Sequence, residues 1–257
     1  MPEFCEVERV GHVTTITINR PEVMNAIHPP ASAELSEAFD TFIADPDAWV
    51  AILTGAGEKA FSAGNDLKYQ AAGNKMEWPA TGFAGVTQRF ENGKPLIAAV
   101  NGLALGGGFE IVLACDIAIA SEKASFGLPE PKVGLAALGG GMHRLPRQIG
   151  MKPAMGMLLT GRRVEAREAL ALGIVNEVVA PGELMSAARR RADAICECSP
   201  VSVRTTKRVA LEGLSHASLQ QAMDARYEAI VELVKSEDFV EGPIAFAQKR
   251  KPNWKGR

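Results

Sequence analysis

Two kinds of hydrophobic spacing divide the chain. Up to about residue 181, short apolar runs alternate with turns of small residues, the pattern of buried strands feeding helices. Phe4–Arg9 and Val13–Asn19 read as two strands around Gly11-His12, the second alternating as VTTITIN. Proline cannot donate to a ladder, so Arg20-Pro21 ends the second strand. A helix is expected from about Ala31 to Ile43, with Leu35, Ala38, Phe39 and Phe42 on one stripe. Trp49–Thr54 and Leu96–Val100 are apolar strands, and Asp116–Ala120 is a third. Between them, Lys68–Gly85 has weak periodicity and reads as a mobile loop or lid. Leu138–Gly141 suggests a glycine turn into a helix over His143–Ile149. After Gly182 the 3.6-residue period takes over, in Glu183–Cys198, Val201–Leu211, Leu219–Leu233 and Glu237–Lys249. The expected organisation is an α/β core of repeated ββα turns over residues 1–181, followed by an all-helical region over 182–257.

Composition narrows the classes. A chain of 257 residues with 47% hydrophobic content has ample core for one large domain. A formal charge of −2 leaves no electrostatic footprint for nucleic acid or an anionic membrane. No apolar run reaches membrane-spanning length, and MPEFCEVERV is too acidic for a signal peptide, so a cytoplasmic setting is expected. The four cysteines have no metal-site spacing, no metal is expected, and Cys115 reads as plain core.

Chemistry concentrates in Ala98–Glu110, AAVNGLALGGGFE. Gly106-Gly107-Gly108 stand where a strand becomes a helix, leaving backbone amides open to close approach by a ligand. The first amides of that helix lack partners inside it and favour negative charge. Glu110 follows Gly107 by three residues, placing both on one face of the first turn. A second carboxylate, Glu130, is fixed between Pro129 and Pro131. GLALGGG is not the dinucleotide fingerprint, and no glycine loop is followed by G-K-[ST], which excludes a nucleotide-triphosphate loop. Asp66 reads first as a turn or capping residue, His143 as a polar loop residue, and Ser62 has no paired base.

Asn25-Ala26, FSAGNDL at 61–67, NGLALGGGFE at 101–110, FGLPE at 126–130 and the tail EGPIAFAQKRKPNWKGR occur in that order. Together they resemble the enoyl-CoA hydratase/isomerase (crotonase) family over essentially the whole chain. The resemblance implies a spiral of ββα units, with the C-terminal helices packing a trimer or dimer of trimers. It implies a lyase that reversibly adds water to 2-enoyl-CoA thioesters, with coenzyme A as part of the substrate and no separate cofactor. The backbone amides of Asn65 and Gly107 would form the oxyanion hole, and Glu110 and Glu130 would hold the water. Coenzyme A would lie along Ala26 and along Ala63, Gly64, Asp66 and Leu67, with Phe246 and Lys249 reaching it, often from a neighbouring subunit. Within that scheme the helix dipole is expected to keep Glu110 ionised as base, and apolar neighbours to raise the pKa of Glu130 as acid. Asn65 replaces the family's usual alanine, Pro131 is unusual, and GLAALGGGMHR at 134–144 departs from the common loop. A double-bond isomerase is the alternative enzyme, against which Glu110 argues. A non-catalytic acyl-CoA-binding protein of this fold would have lost a glutamate or the glycines, and both are present.

Overall fold

In the computed structural model, which describes residues 2–257, strands β1 (Cys5–Val10) and β2 (Val13–Ile18) form an antiparallel hairpin across Gly11. The φ of 63° at Gly11 lies in the left-handed region that glycine enters without strain. Alternation in β2 puts Ile16 and Ile18 on one buried face, while Val13 packs on the opposite face with Val50 and Ile52. Helix α1 (Pro29–Ala44) starts at His28, whose Nδ1 accepts the Ala31 amide at 3.3 Å. Its stripe of Leu35, Ala38, Phe39 and Phe42 is buried, as the spacing predicts.

The next elements come in pairs. Strands β3 (Val50–Gly55) and β4 (Ala60–Ser62) lead to α2 (Leu67–Ala71). Strands β5 (Leu96–Val100) and β6 (Leu103–Leu105) lead to α3 (Gly107–Ala114). Strands β7 (Ile117–Ser121) and β8 (Ser125–Gly127) lead through a single 3₁₀ turn to α4 (Gly141–Ile149) and α5 (Met151–Thr160). Then β9 (Arg163–Glu165), α6 (Ala166–Leu172) and β10 (Glu177–Val179) close the core. Each pair gives one strand to each of two sheets. The six-stranded sheet runs β1-β2-β3-β5-β7-β10, and the four-stranded sheet β4-β6-β8-β9. β3, β5 and β7 pair in parallel, as do β4, β6 and β8, so the chain advances one ββα turn at a time. Strands buried on both faces need continuous apolar sequence, and every residue of β3 and β5 is buried.

The last third is helical: α7 (Leu184–Cys196), α8 (Pro200–Gly213), α9 (Leu219–Asp224), α10 (Glu228–Lys235) and α11 (Glu237–Ala247). α7 lays Leu184, Ala187, Ala188 and Ala192 against Val50, Ile52, Ile97 and Ile119 of the larger sheet. One expectation changes here. The long helix expected over Leu219–Leu233 is two helices. Ala225 and Tyr227 are extended, with ψ of 149° and 121°, which lets the Tyr227 ring sink inside while its hydroxyl donates to the Ala222 carbonyl at 2.8 Å. Apolar periodicity continues across that break, so spacing alone does not reveal it. Over Lys68–Gly85 the chain is also more structured than its composition suggests. α2 occupies its start, and Phe83, Ala84 and Gly85 are buried at its end.

Candidate active site

The site forms where the β6–α3 turn meets the loops after β4 and β8. Gly106 caps α3 with φ of 53°. On Gly108 a Cβ would run into the Ser62 carbonyl, and on Gly107 into the Phe83 ring. Gly107 and Gly108 thus allow close packing, and Gly108 brings α3's N-terminus against the FSAGNDL segment. A parallel bridge joins Ile27 to Asn65: the Ile27 amide donates to the Gly64 carbonyl at 2.8 Å, and the Asp66 amide to the Ile27 carbonyl at 3.0 Å. That pattern leaves the Asn65 amide facing away from the bridge. A Cβ on Gly64 would stand 2.8 Å from the Gly107 nitrogen, so the two expected donors sit on adjoining backbone. Among the described residues neither the Asn65 nor the Gly107 amide has a protein acceptor. Two unspent N–H groups at a helix N-terminus suit a developing negative charge.

Glu110 lies one turn into α3 and is 4% exposed. Its Oε1 accepts the Gly141 amide at 2.9 Å, and the Gly139 and Gly141 positions are so close to the carboxylate that a Cβ would crowd it. Burial pushes the Glu110 carboxyl up to about 7, helped by nearby Glu130 and opposed by the Gly139 and Gly141 amides and by Arg144. Desolvation therefore works against the ionised form that the helix dipole is expected to favour at Glu110. Glu130 opens the 3₁₀ turn after β8, and a Cβ on Gly106 would stand 3.3 Å from its Oε1. Its Oε2 is buried with no partner among the described residues. Burial raises its pKa also, as the apolar neighbours predict, although its own backbone amide pulls the other way. Gly106 joins the two acids, since its carbonyl accepts the Glu110 amide at 3.0 Å. Two carboxyls with raised pKa values in one place can give and take protons. Beside them, a cavity of about 310 Å³ is lined by Glu130, Leu128, Leu135, Met142, Met155 and Leu159 among others.

The remaining expected residues divide. Ala26 and Ala63 are held by backbone contacts, the Ala63 amide donating to the Met24 carbonyl at 2.9 Å and the Ala26 carbonyl accepting Arg20 Nη1. Leu67 is 44% exposed. Asp66 caps α2, accepting the Tyr69 amide at 3.1 Å, and pairs with Arg20 at 3.0 Å. Burial alone would raise its carboxyl, but the Tyr69 amide and the Arg20 guanidinium hold it below the usual range. His143 is exposed on α4, as a polar surface residue. Phe246 is 87% exposed on α11, which packs on α8 and α10, and Lys249 is exposed just beyond that helix. Sequence reasoning passed over Arg20, Phe83 and Arg144. Among the described residues no group of three or more His, Cys, Asp or Glu is placed to hold a metal ion, and no helix is long and apolar enough to cross a membrane.

A family model for enoyl-CoA hydratase/isomerase matches residues 8–257. The chain is 44% identical over 263 residues to carnitinyl-CoA dehydratase of Proteus mirabilis (strain HI4320), covering all of both chains. It is equally similar, 44% over 266 residues with full coverage, to carnitinyl-CoA dehydratase of Escherichia coli O157:H7. Among solved structures, an enoyl-CoA hydratase from Mycobacterium marinum superposes with a TM-score of 0.93 at 41% identity over 100% of each chain. A carnitinyl-CoA hydratase from Mycobacterium avium superposes with a TM-score of 0.79 at 43% identity over 99% of each.

Proposed function

The chain belongs to the enoyl-CoA hydratase/isomerase family and is a hydro-lyase, and from that premise we propose that it adds water reversibly to 2-enoyl-CoA thioesters through Glu110 and Glu130. The observation that carries this reading is the pairing of buried Glu110 with half-buried Glu130, both carboxyls raised by burial, beside two unspent backbone amides. Ionised Glu110 takes a proton from water as the water oxygen bonds to Cβ of the enoyl group. The electron pair of the double bond moves toward the thioester, building an enolate whose oxygen is held by the Asn65 and Gly107 amides. Protonated Glu130 delivers its proton to Cα, and dehydration runs the same steps backwards. Fixed donors aimed at the developing oxyanion act where charge appears, each worth about 2.7–4 kcal/mol. Positioned acid–base help contributes roughly 10²–10⁴-fold.

Coenzyme A is assigned to the backbone at Ala26 and at Ala63, Gly64, Asp66 and Leu67. In that assignment Phe246 and Lys249 reach it from a neighbouring copy, since Phe246 projects into open space. Exposed Leu219, Met223 and Phe246 support a homo-oligomer, a trimer or dimer of trimers. For the acyl group, the stretches GAGEKAFSAGNDLK, GFAGVTQ and EGPIAFAQKRKPNWKGR resemble the carnitinyl-CoA dehydratase branch, and the relatives' names point the same way. Crotonobetainyl-CoA is accordingly the branch-specific substrate to test against plain enoyl chains. The assay is loss of enoyl absorbance with crotonyl-CoA, longer enoyl-CoAs and crotonobetainyl-CoA. Hydration of at least one supports the reading, and the preferred one sets the acyl specificity. No hydration of any, with isomerisation of a 3-enoyl-CoA instead, overturns it.

A further inference from the structure

Glu110 is gripped by a loop that has little stiffness of its own. Gly139, Gly140 and Gly141 are the least restrained residues available, and Gly140 has φ of 107°. Yet the Gly141 amide must stay 2.9 Å from Glu110 Oε1 if the carboxylate is to meet a water in one geometry. What restrains the loop lies behind it. Arg144 Nη2 donates to the Thr87 carbonyl at 2.7 Å, and its Nη1 to the Gly139 carbonyl at 3.4 Å. Its guanidinium centre lies 5.7 Å from the Phe90 ring centroid. Any side chain on Gly140 would strike Nη1, so the guanidinium lies directly over the loop. Thr87 ends the segment that carries Phe83, the ring lying against Gly107. One planar cation therefore ties the loop that grips Glu110 to the segment that packs the expected oxyanion turn. Arg144 is half-buried and makes no ion pair among the described residues, which leaves its charge free to act on Glu110 through the loop.

We propose that Arg144 is a positioning residue for the hydration reaction, clamping the Gly139–Gly141 loop so that its amides fix the Glu110 carboxylate. The proposal rests on the reading of Glu110 as proton acceptor. The charged and titratable groups facing Glu110 are Glu130 and Arg144, and those facing Arg144 are Glu110 and the Cys115 thiol. Of these, Arg144 is the cation that favours ionised Glu110. The fork matters as much as the charge, because lysine's ammonium is a compact point charge on a flexible stem and lacks the planar guanidinium fork that reaches the Thr87 and Gly139 carbonyls together.

The test compares crotonyl-CoA hydration across pH for wild type, R144M, R144K and E110Q, with far-UV circular dichroism and thermal unfolding on each. In R144M, kcat should fall about tenfold or more with KM nearly unchanged. The acid limb of its kcat/KM profile should also move to higher pH, since removing a cation disfavours the ionised base. R144K should lose a similar factor in kcat while its acid limb stays close to wild type. A folded R144M with wild-type kcat and acid limb would overturn the proposal, as would a loss confined to KM or to thermal stability. If R144M does not fold, R144K decides alone, and wild-type kcat in that variant overturns the clamp. E110Q separates the two levels. Full activity there removes the reading of Glu110, whereas an inactive E110Q beside a normal R144K removes only the role of Arg144.

Discussion

Glu110 Oε1 accepts the backbone amide of Gly141 at 2.9 Å, so a donor from the start of α4 holds a carboxylate on α3 inside the core. Without that amide and its neighbour at Gly139, burial would carry the Glu110 pKa still higher. Reactivity and stability are opposed here, because an ionised carboxylate in this place costs folding free energy.

The first prediction follows from linkage. The folded pKa of Glu110 lies above its unfolded value, so the folded state binds the extra proton between the two. Stability from this group is full below the unfolded carboxylate value and is lost as pH rises through about 7. Replacing the group removes that loss. E110Q should be more stable than wild type at pH 8 by up to about 3 kcal/mol, with the difference shrinking toward pH 5. Urea unfolding at the two pH values checks it.

Asp66 behaves in the opposite sense. Its folded pKa is lowered, so the stability it confers is present above the unfolded value and fades as pH falls through the folded one. D66A loses the Tyr69 cap and the partly buried Arg20 pair together. A loss of about 1–3 kcal/mol at pH 7 is expected, read by thermal denaturation.

At Gly107 the amide and the missing side chain both matter. A methyl group there meets the Phe83 ring, so G107A should lose about a hundredfold or more in kcat although its backbone donor survives. The double variant F83A/G107A should recover part of that loss. N65A is the contrast: it keeps the amide and removes only the carboxamide contact to Gln70, so its kcat should stay within about tenfold of wild type. Steady-state kinetics on the four proteins checks both statements.

Strand pairs, the α1 stripe and the glycine turn were legible in the sequence because each is local: period, proline and glycine fix them within a few residues. The two glutamates were legible as candidates for the same reason, and the family likeness carried the amides of Asn65 and Gly107. The state of Glu110 was not. A dipole argument sees only its own helix, whereas the burial that raises its pKa comes from distant elements packed around α3, and the Gly139 and Gly141 amides that oppose the rise lie about thirty residues on. Phe83 and Arg144 were hidden likewise, since their partners Gly107 and Thr87 are distant in sequence. The break before Tyr227 depends on burying a ring, which apolar spacing cannot distinguish from helix continuation.

Exposed Leu214, Leu219, Met223 and Phe246 give the fourth prediction. Apolar side chains this open on neighbouring helices are expected to be covered by other copies of the chain. Sedimentation at micromolar concentration should give a trimer or hexamer. A well-folded monomer there would contradict it.

The central claim is that Glu110 and Glu130 act together on one water, and single-turnover hydration of crotonyl-CoA by E110Q, E130Q and the double variant measures it most directly. Each single variant should lose about a hundredfold or more in rate while still binding the thioester, and the double should lose little beyond the worse single, as expected for groups acting as a unit. An E110Q enzyme that hydrates at a near wild-type rate would contradict the account.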